Sequence, residues 1–151
     1  LLSESKSMTK LQVLNLENTG VSSTGILALS QSPYLKNLQK LNVNGNSIDK
    51  KGFLLIAKSE NFKNLKVLKI SGVSMGDEGF QSIINSNSLK QLEELEVAGN
   101  SISRKGLLRL AKSTLLPQLK KLDLRRNSLL DADQLFLSQS SEFGNLKSIR
   151  F

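Results

Sequence analysis

Apolar residues recur along this chain at a constant spacing of 27 residues. The clearest row consists of Leu11, Leu38, Leu65, Leu92, Leu119 and Leu146. A second row begins three residues later at Leu14, and a third begins two residues beyond that at Leu16. A glycine row with the same spacing consists of Gly25, Gly52, Gly79 and Gly106. Because chance does not hold so many rows in phase, the sequence predicts an array of equivalent structural units.

The spacing divides the chain into five full repeats and two partial ones. The full repeats are residues 11–37, 38–64, 65–91, 92–118 and 119–145, and the partial repeats are residues 1–10 and 146–151. Even the first partial repeat keeps the register, because Leu2 and Met8 precede Leu29 and Leu35 by one period. We therefore expect residues 1–151 to form a single repeat domain.

Each repeat predicts one short strand followed by one helix. In the second repeat, Leu41 and Val43 alternate with polar residues, which is the pattern of a strand with one buried face. Residues 51–59 then carry apolar side chains at the spacing of a helix that buries one stripe. A row of short polar residues suited to capping that helix consists of Ser22, Asp49 and Ser103.

Stacking of the repeats is expected because one 27-residue unit exposes both flat sides of its small core. Stacked strands lie about 4.8 Å apart, whereas helices with their side chains are about 10 Å across. The helical side must therefore spread outward, and the strands must line the inside of a curve. The fold class predicted is α/β, with a concave parallel sheet of about six strands and helices on the convex side.

The repeat pattern L-x-x-L-x-L-x-x-N-x-[IL], followed by an apolar helix that begins with glycine, resembles the leucine-rich repeat family. The repeat length and the helical second half are similar to the ribonuclease-inhibitor-like subfamily. This resemblance covers essentially the whole chain and implies a solenoid, a right-handed βα superhelix in a horseshoe arc. The frequent Lys, Asn and Ser residues are similar to those of bacterial leucine-rich repeat proteins, including effectors of intracellular species.

The asparagine of the family pattern occurs in three repeats and is absent from two others. It is present at Asn46, Asn100 and Asn127, whereas Thr19 and Val73 occupy the equivalent positions. An amide side chain can satisfy buried backbone groups of adjacent turns, so we interpret these three residues as a structural ladder. Because valine cannot form such bonds, we predict an irregular or water-bridged turn at Val73.

Polar residues that alternate with the buried strand positions are expected to point into the concave face. The candidate partner-binding residues are Lys40, Asn42, Asn44, Lys69, Ser71, Glu94, Glu96, Lys121, Asp123 and Arg125. Small residues occupy the middle of this face, with an acidic block and then a basic block beyond, a pattern that favours protein recognition. The alternative is a solvated sheet whose binding rows lie in other repeats. Charge reversal at Lys69, Glu96 or Arg125 is expected to abolish partner binding without changing thermal stability.

The formal net charge of +8 raises the alternative of a polyanion-binding protein. Basic residues recur on the predicted convex helices as Lys50, Lys51, Lys58, Arg104, Lys105, Arg109 and Lys112. Nucleic-acid binding is the weaker hypothesis, because no stacking aromatic residues are interleaved with them and no nucleic-acid motif is present. We interpret the basic residues as a solvated helical face.

Catalysis is not expected, and neither is a cofactor or a metal. The chain contains no His and no Cys, so a serine nucleophile would need another base. Glu93 and Glu94 are adjacent on a strand and point apart, which leaves Glu94 and Glu96 as a weak site for a hard cation. A catalytic domain elsewhere in the protein, with this array as its targeting or regulatory arm, is the alternative to a simple binding scaffold.

The two ends of the sequence suggest a fragment of a longer array. The chain begins without Met and stops at Phe151, which is a core-facing strand position. Uncapped ends of a solenoid favour end-to-end self-association. No apolar run approaches the roughly 20 residues of a membrane span, and no Asn-x-Ser/Thr acceptor is present. We expect a cytoplasmic protein, or an effector secreted into a host cell.

Overall fold

A computed structural model describes residues 4–151 and shows strands that alternate with helices. The strands are β1 (Val13–Asn15), β2 (Lys40–Asn42), β3 (Val67–Lys69), β4 (Glu94–Glu96), β5 (Lys121–Asp123) and β6 (Ser148–Arg150). The α-helices are α1 (Ser23–Gln31), α2 (Lys50–Lys58), α3 (Gly76–Ile84), α4 (Arg104–Ala111) and α5 (Asp131–Gln139). Short 3-10 turns cover Lys6–Lys10, Glu60–Phe62, Leu116–Gln118 and Ser141–Phe143. Residues 1–3 of the predicted first partial repeat, Leu2 among them, lie outside the described residues.

The six strands form one parallel sheet in the order β1-β2-β3-β4-β5-β6. Each strand pairs with the next in the 27-residue register, so that Leu14 lies opposite Leu41 and Leu68 lies opposite Leu95. This arrangement confirms the predicted α/β solenoid with a sheet of about six strands. Within residues 4–151, no helix combines the length and the apolar character needed to cross a membrane.

The hydrophobic core lies between the sheet and the helices and continues from repeat to repeat. Leu41 and Leu95 on the strands are each 1% exposed, and Ile56 and Ile83 on the facing helices are completely buried. The alternation seen in the sequence thus places one side of each strand in the core. The opposite side of every strand is left for solvent or for a partner.

The three ladder asparagines hold the turns of adjacent repeats together. Asn100 is fully buried; its Nδ2 donates to the carbonyl oxygen of Ile70 at 2.7 Å, and its Oδ1 accepts from the amide of Val73 at 3.0 Å. Asn46 and Asn127 make the equivalent bonds to the repeats before them. These are the bonds that the predicted ladder requires.

The turn that contains Val73 is irregular, as the sequence predicted. Asp49 and Ser103 cap their helices with side-chain oxygens, and Ser22 is also an N-cap, although without such a bond. In the third repeat the equivalent residue is Gly76, which has a φ of +62°. Asn100 bonds the amides of Val73 and Met75, as Asn127 bonds the amides of Asn100 and Ile102 in the next turn.

A second amide ladder, which the sequence analysis missed, runs along the edge where the strands begin. Four of the five side-chain amides in a 27-residue row each donate to a backbone carbonyl oxygen of the preceding repeat. The pairs are Asn37 to Thr9, Asn64 to Lys36, Gln118 to Leu89 and Asn145 to Pro117. The 27-residue row of Asn and Gln was its signal, but adjacent polar residues on a surface give no hint that their partners are main-chain oxygens.

Candidate functional site

The structure brings the ten predicted partner-binding residues together on one surface, which we call the concave face. The strand register aligns Lys40, Glu94 and Lys121 in one row, and it aligns Asn42, Lys69, Glu96 and Asp123 in a second. The third row follows the strands directly and consists of Asn44, Ser71, Ala98 and Arg125, of which the first three are joined by hydrogen bonds. The prediction of which residues share this face therefore matches their placement.

The charges of the concave face are paired across neighbouring strands. Lys69 Nζ lies 3.0 Å from Glu96 Oε1, and Lys121 Nζ lies 2.6 Å from Glu94 Oε1. The acidic residues of β4 and the basic residues of its two neighbours therefore form ion pairs instead of isolated patches of charge. Since opposite charges one repeat apart lie only one strand apart, electrostatic attraction favours this pairing.

Asp123 and Arg125 form a further pair in which the carboxylate is buried. The Asp123 side chain is 7% exposed, and it accepts two bonds from the Arg125 guanidinium, the shorter at 2.6 Å. The Arg125 guanidinium and its backbone amide hold the pKa of this carboxyl below its ordinary value, against the effect of burial. Asp123 is therefore ionised at neutral pH, and its buried charge needs the Arg125 guanidinium to compensate it.

Charge reversal at Arg125 is consequently expected to lower the midpoint of thermal unfolding, which corrects the expectation that it would not. The change Arg125→Glu places a second carboxylate beside the buried one of Asp123 and leaves the more distant Arg150, at 4.0 Å, to compensate it. The matched control is Arg126→Glu, because Arg126 is exposed and is the next residue in the chain. Circular dichroism melts should show a lower midpoint for Arg125→Glu than for the control; equal midpoints would contradict the pairing.

Three of the polar candidate residues accept hydrogen bonds from backbone amides on the concave face. Asn42 Oδ1 accepts from the amide of Asn44 at 3.1 Å, and Asn44 Oδ1 accepts from the amide of Ser71 at 2.7 Å. Ser71 Oγ in turn accepts from the amide of Ala98 at 3.0 Å. These side chains continue the hydrogen bonding of the sheet beyond the strands, so they shape the surface as well as line it.

The concave face is broad, and the depression on it beside Glu94, Glu96 and Asp123 is shallow, with a volume of about 100 Å³. Small-molecule sites usually enclose about 300 to 1,000 Å³. Exposed Lys40 and half-buried Val67 lie beside this paired region, so a partner would meet a mixed polar and apolar surface. The geometry fits an extended macromolecular contact better than a small ligand.

The carboxylates around β4 are held by lysines. Glu93 lies on the rim of the sheet, 2.8 Å from Lys120 Nζ, and this hydrogen bond is the main reason that its pKa is lowered. In the part of the chain that the structure describes, no three acidic, His or Cys residues come together in a way that could hold a metal ion. The acidic residues here thus act as ion-pair partners within the sheet.

The basic residues of the helical side occupy two different settings. Lys50 forms an exposed pair with Glu78 at 2.9 Å. Arg104 contacts the buried carboxylate of Asp133 at 2.5 Å, and its guanidinium carbon lies 5.6 Å from the centre of the Phe136 ring. The predicted solvated helical face is therefore partly occupied by structural pairs, and the helical side also holds a groove that the sequence analysis missed.

Comparison with known proteins supports the repeat assignment. A family model described as Leucine Rich repeat matches residues 7–30 and 34–57. The structure is similar to that of TLR13 in its complex with ssRNA13, with a TM-score of 0.58 and 21% identity over 95% of this chain. The match spans 19% of the TLR13 chain. No curated protein matches the sequence significantly.

A second similar structure is an internalin (inlF) from Listeria monocytogenes str. 4b F2365. It is 17% identical over 97% of this chain and 49% of its own length, and its TM-score of 0.47 is too low to add weight. The family match, the parallel sheet and the constant register together support a leucine-rich repeat fold for this chain. The ribonuclease-inhibitor-like subfamily and a bacterial source stay predictions.

Proposed function

We propose that this leucine-rich repeat protein is a binding scaffold that recognises a protein partner through its concave face. The observation that carries this proposal is the ordered array of charged and polar side chains on one side of six parallel strands. Leucine-rich repeat proteins are typically binding scaffolds without catalytic activity. The proposed role needs no cofactor and no metal.

The paired charges of the concave face favour a protein partner of complementary pattern. The pairs of Lys69 with Glu96 and of Lys121 with Glu94 fix the positions of four charges on neighbouring strands. A partner that presents the opposite pattern gains specificity at such a surface, whereas a uniform polyanion meets as many carboxylates as lysines in these pairs. The surface is also rigid, because its side chains are held by one another.

A charge-swap variant tests this proposal with little risk to the fold. The double change Lys69→Glu with Glu96→Lys keeps the ion pair and the net charge but exchanges the two charges on the surface. We expect the melting midpoint to stay unchanged and the affinity for the natural partner to fall by about tenfold or more, because like charges would face each other across the contact. The partner is first isolated with the full-length protein, and its dissociation constant is then measured.

The matched control is the exposed Lys36→Glu in the loop between α1 and β2, which changes a charge outside the strands that form the concave face. Its affinity for the same partner should remain within about twofold of the unchanged protein. A partner that is lost in the control and retained in the charge swap would overturn the proposal.

Two alternatives are decided by separate experiments. TLR13 was solved with a single-stranded RNA, and this chain carries a net charge of +8, so a titration with single-stranded RNA at two salt concentrations tests polyanion binding. The full-length reading frame shows whether a catalytic domain makes this array a targeting arm or part of an effector. A cytoplasmic location belongs to the same proposal, and fractionation of the full-length protein tests it.

A further inference from the structure

A groove on the helical side crosses α3 between α2 and α4, and we call it the helical trough. It consists of two adjoining depressions of about 680 and 600 Å³. Both are lined by Gln81, Asn85 and Arg109, so α3 provides the floor and the neighbouring helices provide the walls. The trough lies on the opposite side of the core from the concave face.

The trough exists because one row of exposed leucines is interrupted. The row at this helical position is Leu27, Leu54, Gln81, Leu108 and Leu135. Leu54 and Leu108 are 37% and 42% exposed, and each lines one of the two depressions. An apolar side chain on each wall and a polar amide on the floor between them form an amphipathic surface. Exposed leucines in register indicate a contact surface more strongly than scattered ones do.

The charge around the trough is strongly positive. Its lining includes six cationic residues, Lys50, Lys58, Arg104, Lys105, Arg109 and Lys112. Glu78 is the one carboxylate that lines the depressions and is paired with Lys50, and Arg104 is paired with Asp133, so two of the six cations are compensated. The hydrogen bond from Lys50, followed by the charges of Lys50, Lys105 and Arg109, holds the pKa of Glu78 below its ordinary value. The trough therefore attracts a negatively charged ligand.

Arg109 supplies a donor that the rest of the protein does not use. Within residues 4–151, its Nη1 is the one buried side-chain nitrogen or oxygen that has no hydrogen-bond partner. A buried donor without an acceptor is costly, and the cost is larger for a charged group. A small rotation of the half-buried guanidinium would present this donor to a carboxylate in the trough, and guanidinium–carboxylate bonds are among the stronger hydrogen bonds in proteins.

We propose that the helical trough is a second binding site, and that its ligand is an acidic peptide segment that also carries apolar side chains. Carboxylates of the peptide accept bonds from Arg109 and pair with the lysines of the rim, while its apolar side chains contact Leu54 and Leu108. A nucleic acid fits less well, because no aromatic residue lines the described trough for base stacking. A flat lipid surface would contact the rim and would not reach the buried nitrogen.

The test is a fluorescence anisotropy titration with a labelled peptide of alternating Asp and Leu residues. We expect saturable binding that is lost when Asn replaces Asp in the peptide. The change Arg109→Gln should weaken binding by about tenfold or more, because it removes charge-assisted hydrogen bonds. The exposed double change Lys105→Gln with Lys112→Gln should also weaken it, and this variant does not depend on a buried residue for folding.

The control is Arg126→Gln, which removes one positive charge from the turn after β5, away from the trough. It should change the affinity by less than about twofold. Equal binding by Arg109→Gln and the unchanged protein, or equal binding of the Asn peptide, would overturn the proposal. So would binding of phosphatidylserine vesicles or single-stranded RNA without binding of the acidic peptide. The Lys69→Glu with Glu96→Lys swap should leave peptide binding unchanged, which separates this site from the concave face.

Discussion

Replacement of Asn100 by valine is expected to lower the free energy of unfolding by about 3 to 6 kcal/mol. The side chain is fully buried and bonds three backbone groups of the preceding repeat, namely the carbonyl of Ile70 and the amides of Val73 and Met75. Valine would leave all three without a partner, and each buried unsatisfied group costs about 1 to 3 kcal/mol. Urea unfolding followed by circular dichroism measures the change.

The shape of valine is not the cause of this loss, because Val73 occupies the equivalent position in the third repeat and is itself buried. The matched control is Asn127→Val, which removes the same kind of bonds at a partly exposed site. Water can reach the freed groups there, so we expect a loss of about 1 to 2 kcal/mol. If both variants lost the same small amount, the buried asparagine would not have the structural role that we assign to it.

The change Gly79→Ala is expected to destabilise the protein by about 1 to 2 kcal/mol, although alanine normally favours a helix. A Cβ atom at this position would lie 2.6 Å from Met75 Cγ and 2.7 Å from Phe53 Cδ2. The Phe53 ring is 2% exposed and belongs to the preceding helix, so it has no room to move. Overpacking of this kind costs about 1 to 3 kcal/mol, of which the helix preference of alanine returns less than 1.

Gly25→Ala provides the comparison within the same glycine row. The added Cβ would meet only the Val21 side chain, with Cγ1 at 3.0 Å, and Val21 is partly exposed. We expect a change of no more than about 0.5 kcal/mol in either direction, since a small adjustment of Val21 offsets the gain in helix preference. Thermal or urea unfolding of both variants measures the change in the free energy of unfolding. A Gly79→Ala variant as stable as Gly25→Ala would contradict close packing of α2 against α3.

The fold was predictable from the sequence because each repeat shows the same local pattern of apolar and polar residues. Alternation around Leu41 and Val43 predicted the strand, and the row that includes Asp49 predicted the helix start, since both patterns are visible within one repeat. Even the irregular turn at Val73 followed from the loss of an amide in the row. The positive φ of Gly76 did not follow, because the equivalent residues Asp49 and Ser103 have extended backbones under the same repeat pattern.

The functional surfaces were only partly predictable. The rows of the concave face followed from the register, but the pairing of Lys121 with Glu94 depends on side-chain positions across neighbouring strands. The buried carboxylate of Asp123 could not be foreseen, because an acid at an exposed row normally stays in solvent. The helical trough was missed because Gln81 looks like an ordinary surface residue in the sequence.

The sequence by itself determined the repeat length, the order of strand and helix, and the sides of each element that face the core. These features follow from the periodic spacing of the buried apolar residues, which can be recognised in each repeat separately. Only the tertiary structure decided which charges are paired, which asparagine is buried and where a guanidinium nitrogen lacks a partner. The physical reason is that these properties arise between repeats, where distances of a few ångströms separate an ion pair from two solvated charges.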